Sequence, residues 1–252
     1  MQQITFENIY TLGNIATENA LYRHFHYPDM LISYDSNFIE FKVLPSLTEF
    51  KRVEIYLREY HFKRGQRHLK FYFPVNIKPS EELNIYLTDM GYEIGFQELY
   101  AIQPKQFPSV ENNPDIDIEK VTNKNLAVNL DLQYRNDLEF GREFADQKAN
   151  LIKRQFEGQD IQQVLAFYKE SPAGYVDVII SDETVEIDNL TVDESFRNKG
   201  IGSRLQKFVM DSFPERIVIL VADGEDTPKE MYKKQNYKYQ GFKYEAQKIY
   251  QD

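Results

Sequence analysis

One segment, from Thr184 to Leu205, constrains the fold of this 252-residue chain more than any other. It opens with T-V-E-I-D-N-L-T-V, a β-branched stretch that predicts a strand. A loop with Arg197, Lys199 and two glycines follows, and the loop leads into an amphipathic helix at 200–213. A strand that passes directly into a helix directs backbone N–H groups and the positive helix end at one point, so the loop predicts a phosphate or pyrophosphate site.

The common nucleotide motifs do not fit this loop. A P-loop needs Gly-x4-Gly-Lys-Ser/Thr, and the dinucleotide fingerprint needs a third glycine where Leu205 stands. We therefore expect a ligand that is neither ATP nor NAD.

The flanking sequence predicts an α+β fold around a mostly antiparallel sheet. The expected elements are a strand at 117–121, two helices within 123–156 broken near Phe140-Gly141, a hairpin of 162–169 and 173–181 joined by Glu170-Ser171-Pro172, strands at 184–192 and 216–222, a helix ending near Asn236, and a final strand pair at 238–242 and 244–250.

Composition excludes several classes of site and partner. The chain has no cysteine, which removes disulfides, thiolate metal sites and cysteine nucleophiles. Its net charge of -10 disfavours nucleic acid and anionic lipid and favours an amine-bearing partner. The longest apolar run, 217–222, is too short to cross a bilayer, and the N-terminus carries no secretory pattern. We expect a cytoplasmic protein, monomeric or homodimeric, without membrane or nucleic-acid partners.

A Pro- and Asn-rich stretch at 103–114 predicts a domain linker. The expected organisation is a first domain at 1–108, a linker at 109–115 and a second domain at 116–252. The first domain holds an H-F-H pair, His24 and His26, whose spacing places both rings on one face of a strand. No third ligand accompanies them, so we expect no metal site.

The loop sequence R-N-K-G-I-G, at 197–202, resembles the Arg/Gln-x-x-Gly-x-Gly/Ala motif of the GNAT acetyltransferase superfamily. The segment M-Y-K-K-Q-N-Y, at 231–237, is similar to that family's Leu-Tyr-Glu-Lys-Leu-Gly-Phe. The predicted element order also resembles the GNAT core, and the resemblance covers about 116–252. It implies a GNAT fold and acetyl-CoA as cosubstrate.

The resemblance also implies a cofactor site. Backbone N–H groups of the loop would hold the pyrophosphate, side chains of the loop would add charge, and the end of the preceding strand would bind the pantetheine arm like an added strand. One departure is Glu225, where many relatives carry asparagine seven residues before the tyrosine. The implied cofactor-binding residues are Leu190, Thr191, Val192, Arg197, Asn198, Lys199, Gly200, Ile201, Gly202 and Ser203.

The resemblance places Tyr232 where the family's tyrosine protonates the departing thiolate. Glu186 lies where several relatives keep a catalytic glutamate, and Asp188 shares its face of the strand. Either carboxylate is a candidate base or water-positioning group, and both are equally able to bind an ammonium without moving a proton. The implied mechanism is direct attack of an amine on the thioester, in a sheet that splays after Val192, with a backbone N–H near 190–191 polarising the carbonyl.

The acceptor pocket of the family lies between the first two helices, the fourth strand and the final hairpin, which here implies Tyr134, Phe140, Phe144 and Tyr239. We expect a small polar amine such as an amino acid, a polyamine or an aminoglycoside. A protein N-terminus or lysine stays open as the acceptor.

The first half repeats the order strand, helix, Gly-aromatic, strand seen at 216–250, and it resembles the closing half of a second GNAT-like domain. Aligning Tyr92 on Tyr237 puts Leu87 at the position of Tyr232, and the first half contains no Arg-x-x-Gly-x-Gly. We expect it to bind no CoA and to pack against the active half, where it would wall the acceptor pocket. An independent fold for the first half stays open.

Two other functional classes stay open at this stage. A catalytically silent acyl-CoA sensor or interaction module would need neither Tyr232 nor Glu186. Tandem GNAT-like enzymes that transfer an aminoacyl group from tRNA would need a basic surface, which the net charge disfavours.

Overall fold

The computed structural model describes residues 3–158, 160–224 and 228–250. Within them, the strands are β1 Asn14–Glu18, β2 Tyr22–His26, β3 Phe38–Phe41, β4 His68–Tyr72, β5 Glu93–Ile102, β6 Ile116–Lys120, β7 Ile161–Tyr168, β8 Ser171–Ile180, β9 Thr184–Val192, β10 Ile217–Asp223 and β11 Lys238–Ile249. The α-helices are α1 Leu47–Phe62, α2 Glu81–Asp89, α3 Leu126–Asp137, α4 Arg142–Glu157, α5 Ile201–Ser212 and α6 Pro228–Lys234.

The chain forms two compact units. The larger unit contains Met1–Tyr10, Tyr100–Val221 and Glu230–Tyr239, and the smaller unit contains Thr11–Leu99, Ala222–Lys229 and Gln240–Asp252. The units do not follow the predicted boundaries at 108 and 116, because the linker segment 109–115 belongs to the larger unit. The chain passes from one unit to the other after Tyr10 and within β5, β10, α6 and β11.

The sheet of the larger unit has the strand order β10-β9-β8-β7-β6. The pairs β6–β7, β7–β8 and β8–β9 are antiparallel, and β9–β10 is parallel. The hairpin is confirmed, but its turn is the pair Lys169-Glu170, with φ of 49° and 67°, and Ser171-Pro172 belongs to β8. The predicted helix break is confirmed at Gly141, whose φ of 99° separates α3 from α4. The α+β architecture is thereby confirmed.

The sheet splays earlier than the sequence predicted. Parallel pairing of β9 with β10 runs from Thr184–Ile217 to Glu186–Ile219, and among the described residues it stops there although both strands continue. The prediction of a splay after Val192 was therefore wrong. Asn189, with φ of 50°, interrupts the regular path of β9 just beyond the last pair.

The smaller unit has the strand order β1-β2-β3-β4-β11-β5. The predicted final strand pair was wrong, because β11 is one continuous twelve-residue strand. Gly241, which lies inside the predicted strand 238–242, has φ of 154° and a backbone against which the Asn76 side chain packs. A Cβ at Gly241 would lie 2.8 Å from Asn76 Oδ1, and the same oxygen accepts the N–H of Phe242 at 3.0 Å.

The four histidines belong to the smaller unit. His24 Nδ1 bonds the Tyr56 hydroxyl at 3.0 Å, and His61 Nδ1 bonds the carbonyl of His68 at 2.7 Å. Within the described ranges, no group of three or more His, Cys, Asp or Glu side chains is placed to hold a metal ion. No helix in the same ranges is long and apolar enough to cross a membrane.

Candidate functional site

The loop between β9 and α5 turns through two left-handed residues. Asn198 has φ of 63° and Gly200 has φ of 85°, and Gly200 is the N-cap of α5. No side chain in the described part of the chain caps this helix end. Arg197 is exposed and donates to Glu194 Oε1 at 3.0 Å, while the Lys199 ammonium lies 5.4 Å from the centre of the Tyr168 ring. The uncapped amides and two cations fit an anion.

The two loop glycines differ in what they allow. A Cβ at Gly200 would meet nothing within 4 Å, but the left-handed backbone there favours glycine. A Cβ at Gly202 would make only ordinary contacts, at 3.7 Å from Leu190 Cδ2 and Val192 Cγ2. Packing within the chain therefore does not require glycine at 202. A ligand that approaches the backbone closely would require it.

A cleft of about 480 Å³ borders this loop. One wall is formed by the predicted linker, from Phe107 to Pro114, and Arg204 Nη1 donates to the carbonyl of Glu111 at 3.2 Å. The opposite wall presents Lys199, Gly200, Ser203, Arg204 and Gln235. The linker thus takes part in the surface around the proposed anion site.

A second cleft, of about 150 Å³, lies where β9 and β10 separate. It brings together the three predicted catalytic side chains, Glu186, Asp188 and Tyr232, with Leu190 of the predicted pantetheine strand. The remaining lining residues are Ile187, Asn189, Gln206, Leu220 and Val221.

Glu186 is a buried carboxylate with an unusual environment. Its strand neighbours across the sheet are Ile179 and Ile219, and only 7% of its surface is exposed. Burial raises the pKa of Glu186 to about 8; the N–H of Tyr10, 2.8 Å from Oε2, lowers it, and the charge of Asp188 raises it. A carboxylate with this pKa exchanges a proton readily near neutral pH.

Tyr232 stands on α6 at the edge of the same cleft. Its ring is half-buried and lies 5.3 Å from the Tyr100 ring and 5.5 Å from the Tyr237 ring. Tyr237, which follows α6, is buried and donates its hydroxyl to Gln206 Oε1 of α5 at 2.8 Å. Its N–H donates to the Tyr232 carbonyl at 3.0 Å, so the end of the short helix that carries Tyr232 is held by a residue bonded to α5.

The predicted acceptor side chains lie outside the lining of this cleft, as far as the described residues show. Tyr134 donates to Asp146 Oδ1 at 2.9 Å across α3 and α4. Phe140, 66% exposed, packs against Phe144 at 5.3 Å, and the Tyr239 ring lies 5.9 Å from Tyr100. The departure at Glu225 lies outside the described residues.

A buried polar chain beneath β9 was missed in the sequence. Asn189 Nδ2 donates to Asp177 Oδ2 and to Gln133 Oε1, both at 3.1 Å. Burial raises the pKa of Asp177 to about 6. The sequence feature that could have revealed these hydrogen bonds is Asn189, a polar residue within a predicted strand. Hydrogen bonds continue the chain from Gln133 through Asn129 and Gln163 to the carbonyl of Ile152.

Comparison with known proteins matches two sequence families to the chain. Residues 130–237 match the acetyltransferase (GNAT) family, and residues 4–100 match a domain of unknown function, DUF5613. Among curated proteins, no sequence matches significantly.

Three solved structures illustrate the fold relationship. A functionally unknown conserved protein from Staphylococcus epidermidis ATCC 12228 is 36% identical, with 98% of each chain covered and a TM-score of 0.90. A GCN5-related N-acetyltransferase from Kribbella flavida is 14% identical, with 93% of this chain and 89% of that chain covered and a TM-score of 0.62. A tandem GNAT protein from the clavulanic acid biosynthesis pathway is 12% identical, with 85% and 76% covered and a TM-score of 0.55.

Proposed function

Because the chain belongs to the GNAT family of acetyltransferases, we propose that its larger unit is an acetyl-CoA-dependent N-acetyltransferase for a small amine. The observation that carries the proposal is the cleft at the splay, where a buried carboxylate and a tyrosine meet beside the edge of β9 that has parted from β10. The glycine loop that begins α5 follows the same strand, β9.

The donor site fits the residues present. N–H groups of 198–203 would hold a pyrophosphate, because this helix end has no side-chain cap and Gly202 leaves room at the backbone. Lys199 and Arg197 would add charge, and Arg197 can exchange Glu194 for a phosphate because both side chains are exposed. Beyond Glu186, the edge of β9 at 190–192 would accept the pantetheine arm as an added strand. Bound acetyl-CoA would supply a thioester carbonyl as the electrophile.

The proton chemistry follows from the two ionisable groups. An amine arrives mainly as an ammonium at neutral pH, and Asp188, exposed on the cleft, would attract it. Glu186, with its pKa raised to about 8, would take the proton directly or through water. Tyr232 would donate a proton to the sulfur as the bond to carbon breaks. Asp188 and a water chain remain alternatives to Glu186 as base.

The acceptor we propose is a small polar amine, such as an amino acid or polyamine. Its support is the acidic character of the cleft, from Glu186 and Asp188, together with the net charge of -10. The cleft of about 150 Å³ suits the end of a primary amine better than a folded protein surface.

The test is a panel of amines assayed for CoA release with a thiol reagent. The chain contains no cysteine, so the reagent reports free CoA without a protein background. We expect amine-dependent release by the parent chain and a much slower release by Glu186→Gln. If acetyl-CoA raises the melting temperature but no amine promotes release, the chain is a silent acyl-CoA sensor.

A further inference from the structure

Residues 3–10 belong to the larger unit, although they precede the smaller one in sequence. Ile4 and Phe6 are buried, with 6% and 7% of their surfaces exposed. Residues Phe6–Asn8 form a 3₁₀ turn that side-chain hydrogen bonds stabilise. Thr5 N–H donates to Asn8 Oδ1 at 2.9 Å, and Glu7 N–H donates to Thr5 Oγ1 at 3.3 Å. The segment 4–10 is thus held by buried side chains and by its own hydrogen bonds.

The segment after this turn brings one backbone group to the Glu186 carboxylate. The N–H of Tyr10 donates to Glu186 Oε2 at 2.8 Å, across 176 positions of sequence. Tyr10 itself is 44% exposed. On the other sides Glu186 faces Ile179 of β8 and Ile219 of β10, and the titratable groups beside it in the cleft are Asp188 and Tyr232.

We propose that the segment 4–10 belongs to the catalytic centre and that the backbone N–H of Tyr10 positions Glu186. This inference rests on the proposed function, in which Glu186 is the base. The bond fixes the carboxylate by Oε2 and assigns the proton transfer to Oε1. It also opposes the effects of burial and of the Asp188 charge, since a donated N–H favours the ionised carboxylate.

A proline at position 10 would remove this one donor. Proline has no N–H, and it restricts the preceding residue to extended backbone. Ile9 already has φ of -81° and ψ of 133°, which is compatible with proline at 10. Tyr10→Pro deletes the N–H and puts the ring Cδ in its place, so Glu186 Oε2 must also move away from position 10, whereas Tyr10→Ala deletes the side chain and keeps the N–H.

The experiment is a pH titration of ¹³C-labelled glutamate carboxyls by NMR, with the Glu186 signal assigned through Glu186→Gln. A hydrogen bond to an ionised group predicts that Tyr10→Pro raises the pKa of Glu186 by about one unit, and that Tyr10→Ala leaves it in place. The acid limb of the pH–rate profile of Tyr10→Pro should move upward by the same amount. An unchanged pKa of Glu186 in Tyr10→Pro would overturn the inference. A lower pKa would also overturn it, because it would show that the segment acts only by excluding water.

The same set of variants separates this inference from the proposed function. If Glu186→Gln transfers acetyl groups at the parent rate at every pH, the assignment of the base fails whatever Tyr10→Pro does. If Glu186→Gln is slow and Tyr10→Pro titrates like the parent, the base assignment stands and the role of Tyr10 is wrong.

Discussion

The helices α1 and α5 begin in opposite ways. At α1, Ser46 accepts the N–H of Glu49 through its side chain, and Glu49 Oε2 accepts the N–H of Ser46 at 2.9 Å. At α5, the N-cap is Gly200 and no described side chain takes either role. A carboxylate of the protein satisfies the positive end of α1, whereas the proposed function assigns the positive end of α5 to an external anion. In this chain, the cap residue would thus distinguish a helix that the protein caps from a helix that a ligand caps.

The segments that come later in the two units are built alike. In the smaller unit, a left-handed Gly91 precedes Tyr92, which is buried and donates to Glu54 of α1 at 2.6 Å. In the larger unit, a left-handed Asn236 precedes Tyr237, which donates to Gln206 of α5. Both units therefore have a left-handed residue followed by a buried tyrosine that donates a hydrogen bond to a helix.

The difference between the two repeats lies five residues before the buried tyrosine. Leu87 is fully buried in the smaller unit, and Tyr232 borders the cleft in the larger unit. The core of the smaller unit is closed by aliphatic and aromatic side chains, among them Phe41, Phe50, Phe71 and Phe73. At this position the smaller unit has a packed core, and the larger unit has a cleft.

The largest expected effect is that of Tyr232→Phe. In the proposed mechanism the variant removes the proton donor to the departing thiolate, so we expect turnover to fall by roughly 100- to 10,000-fold, with acetyl-CoA affinity retained. Steady-state kinetics with the best amine of the panel, together with a thermal shift for donor binding, measure the two quantities separately.

Tyr239→Phe is the matched control for Tyr232→Phe. Tyr239 is 49% exposed and shares Tyr100 as a ring neighbour, but it does not line the cleft among the described residues. We expect its turnover to stay within a few-fold of the parent chain. Parent-like turnover in Tyr232→Phe would mean that position 232, like Leu87, only packs.

Local patterns in the sequence account for most of the fold and part of the site. Strand β9, helix α5 and the loop between them follow from residues close in sequence, and so do the glycines that shape the loop. The contact between Tyr10 and Glu186 joins positions 176 apart, and no periodicity reports it. The sequence predicted a break in β11 at Lys243, but Phe73 N–H donates to the Tyr244 carbonyl and Asn76 N–H donates to the Phe242 carbonyl, both at 2.8 Å. Contacts between positions this distant in sequence leave no local pattern.

The second prediction is that pH acts on the two units in opposite directions. In the larger unit, burial raises the pKa of Glu186 to about 8 and of Asp177 to about 6, so stability falls as pH rises from about 4 through these values. In the smaller unit, burial lowers the pKa of His24 to about 4, of His61 to about 3 and of His68 to about 4. Its stability falls as pH drops below 6.5, by about 1.4 kcal/mol per pH unit for each histidine at most.

Hydrogen–deuterium exchange at pH 5 and pH 8, corrected for intrinsic rates, measures this difference. Amides of β4 should lose protection at pH 5, and amides of β8 should lose it at pH 8. Glu186→Gln is the control, since it should remove part of the alkaline loss in β8 and leave β4 unchanged. Protection that falls in both strands at the same pH would show that the units unfold together.

The smallest expected effect comes from giving α5 the cap that α1 has. Ser203 stands three residues after the N-cap Gly200, as Glu49 stands three residues after Ser46. In Ser203→Glu, the new carboxylate would compete with the pyrophosphate for the same amides and repel its charge. We expect donor affinity to fall by about tenfold to a hundredfold, without loss of thermal stability in the absence of donor.

Ser203→Gln separates charge from size in this last test. Glutamine has the shape of glutamate and can cap the same N–H, but it does not repel phosphate. We expect it to weaken binding less than glutamate does, and we expect rising salt to reduce the gap between the two variants, because exposed charges are screened. Equal affinities at low salt would mean that the side chain at 203 acts by bulk in the cleft beside Arg204 and Gln235, and that the anion does not lie at the start of α5.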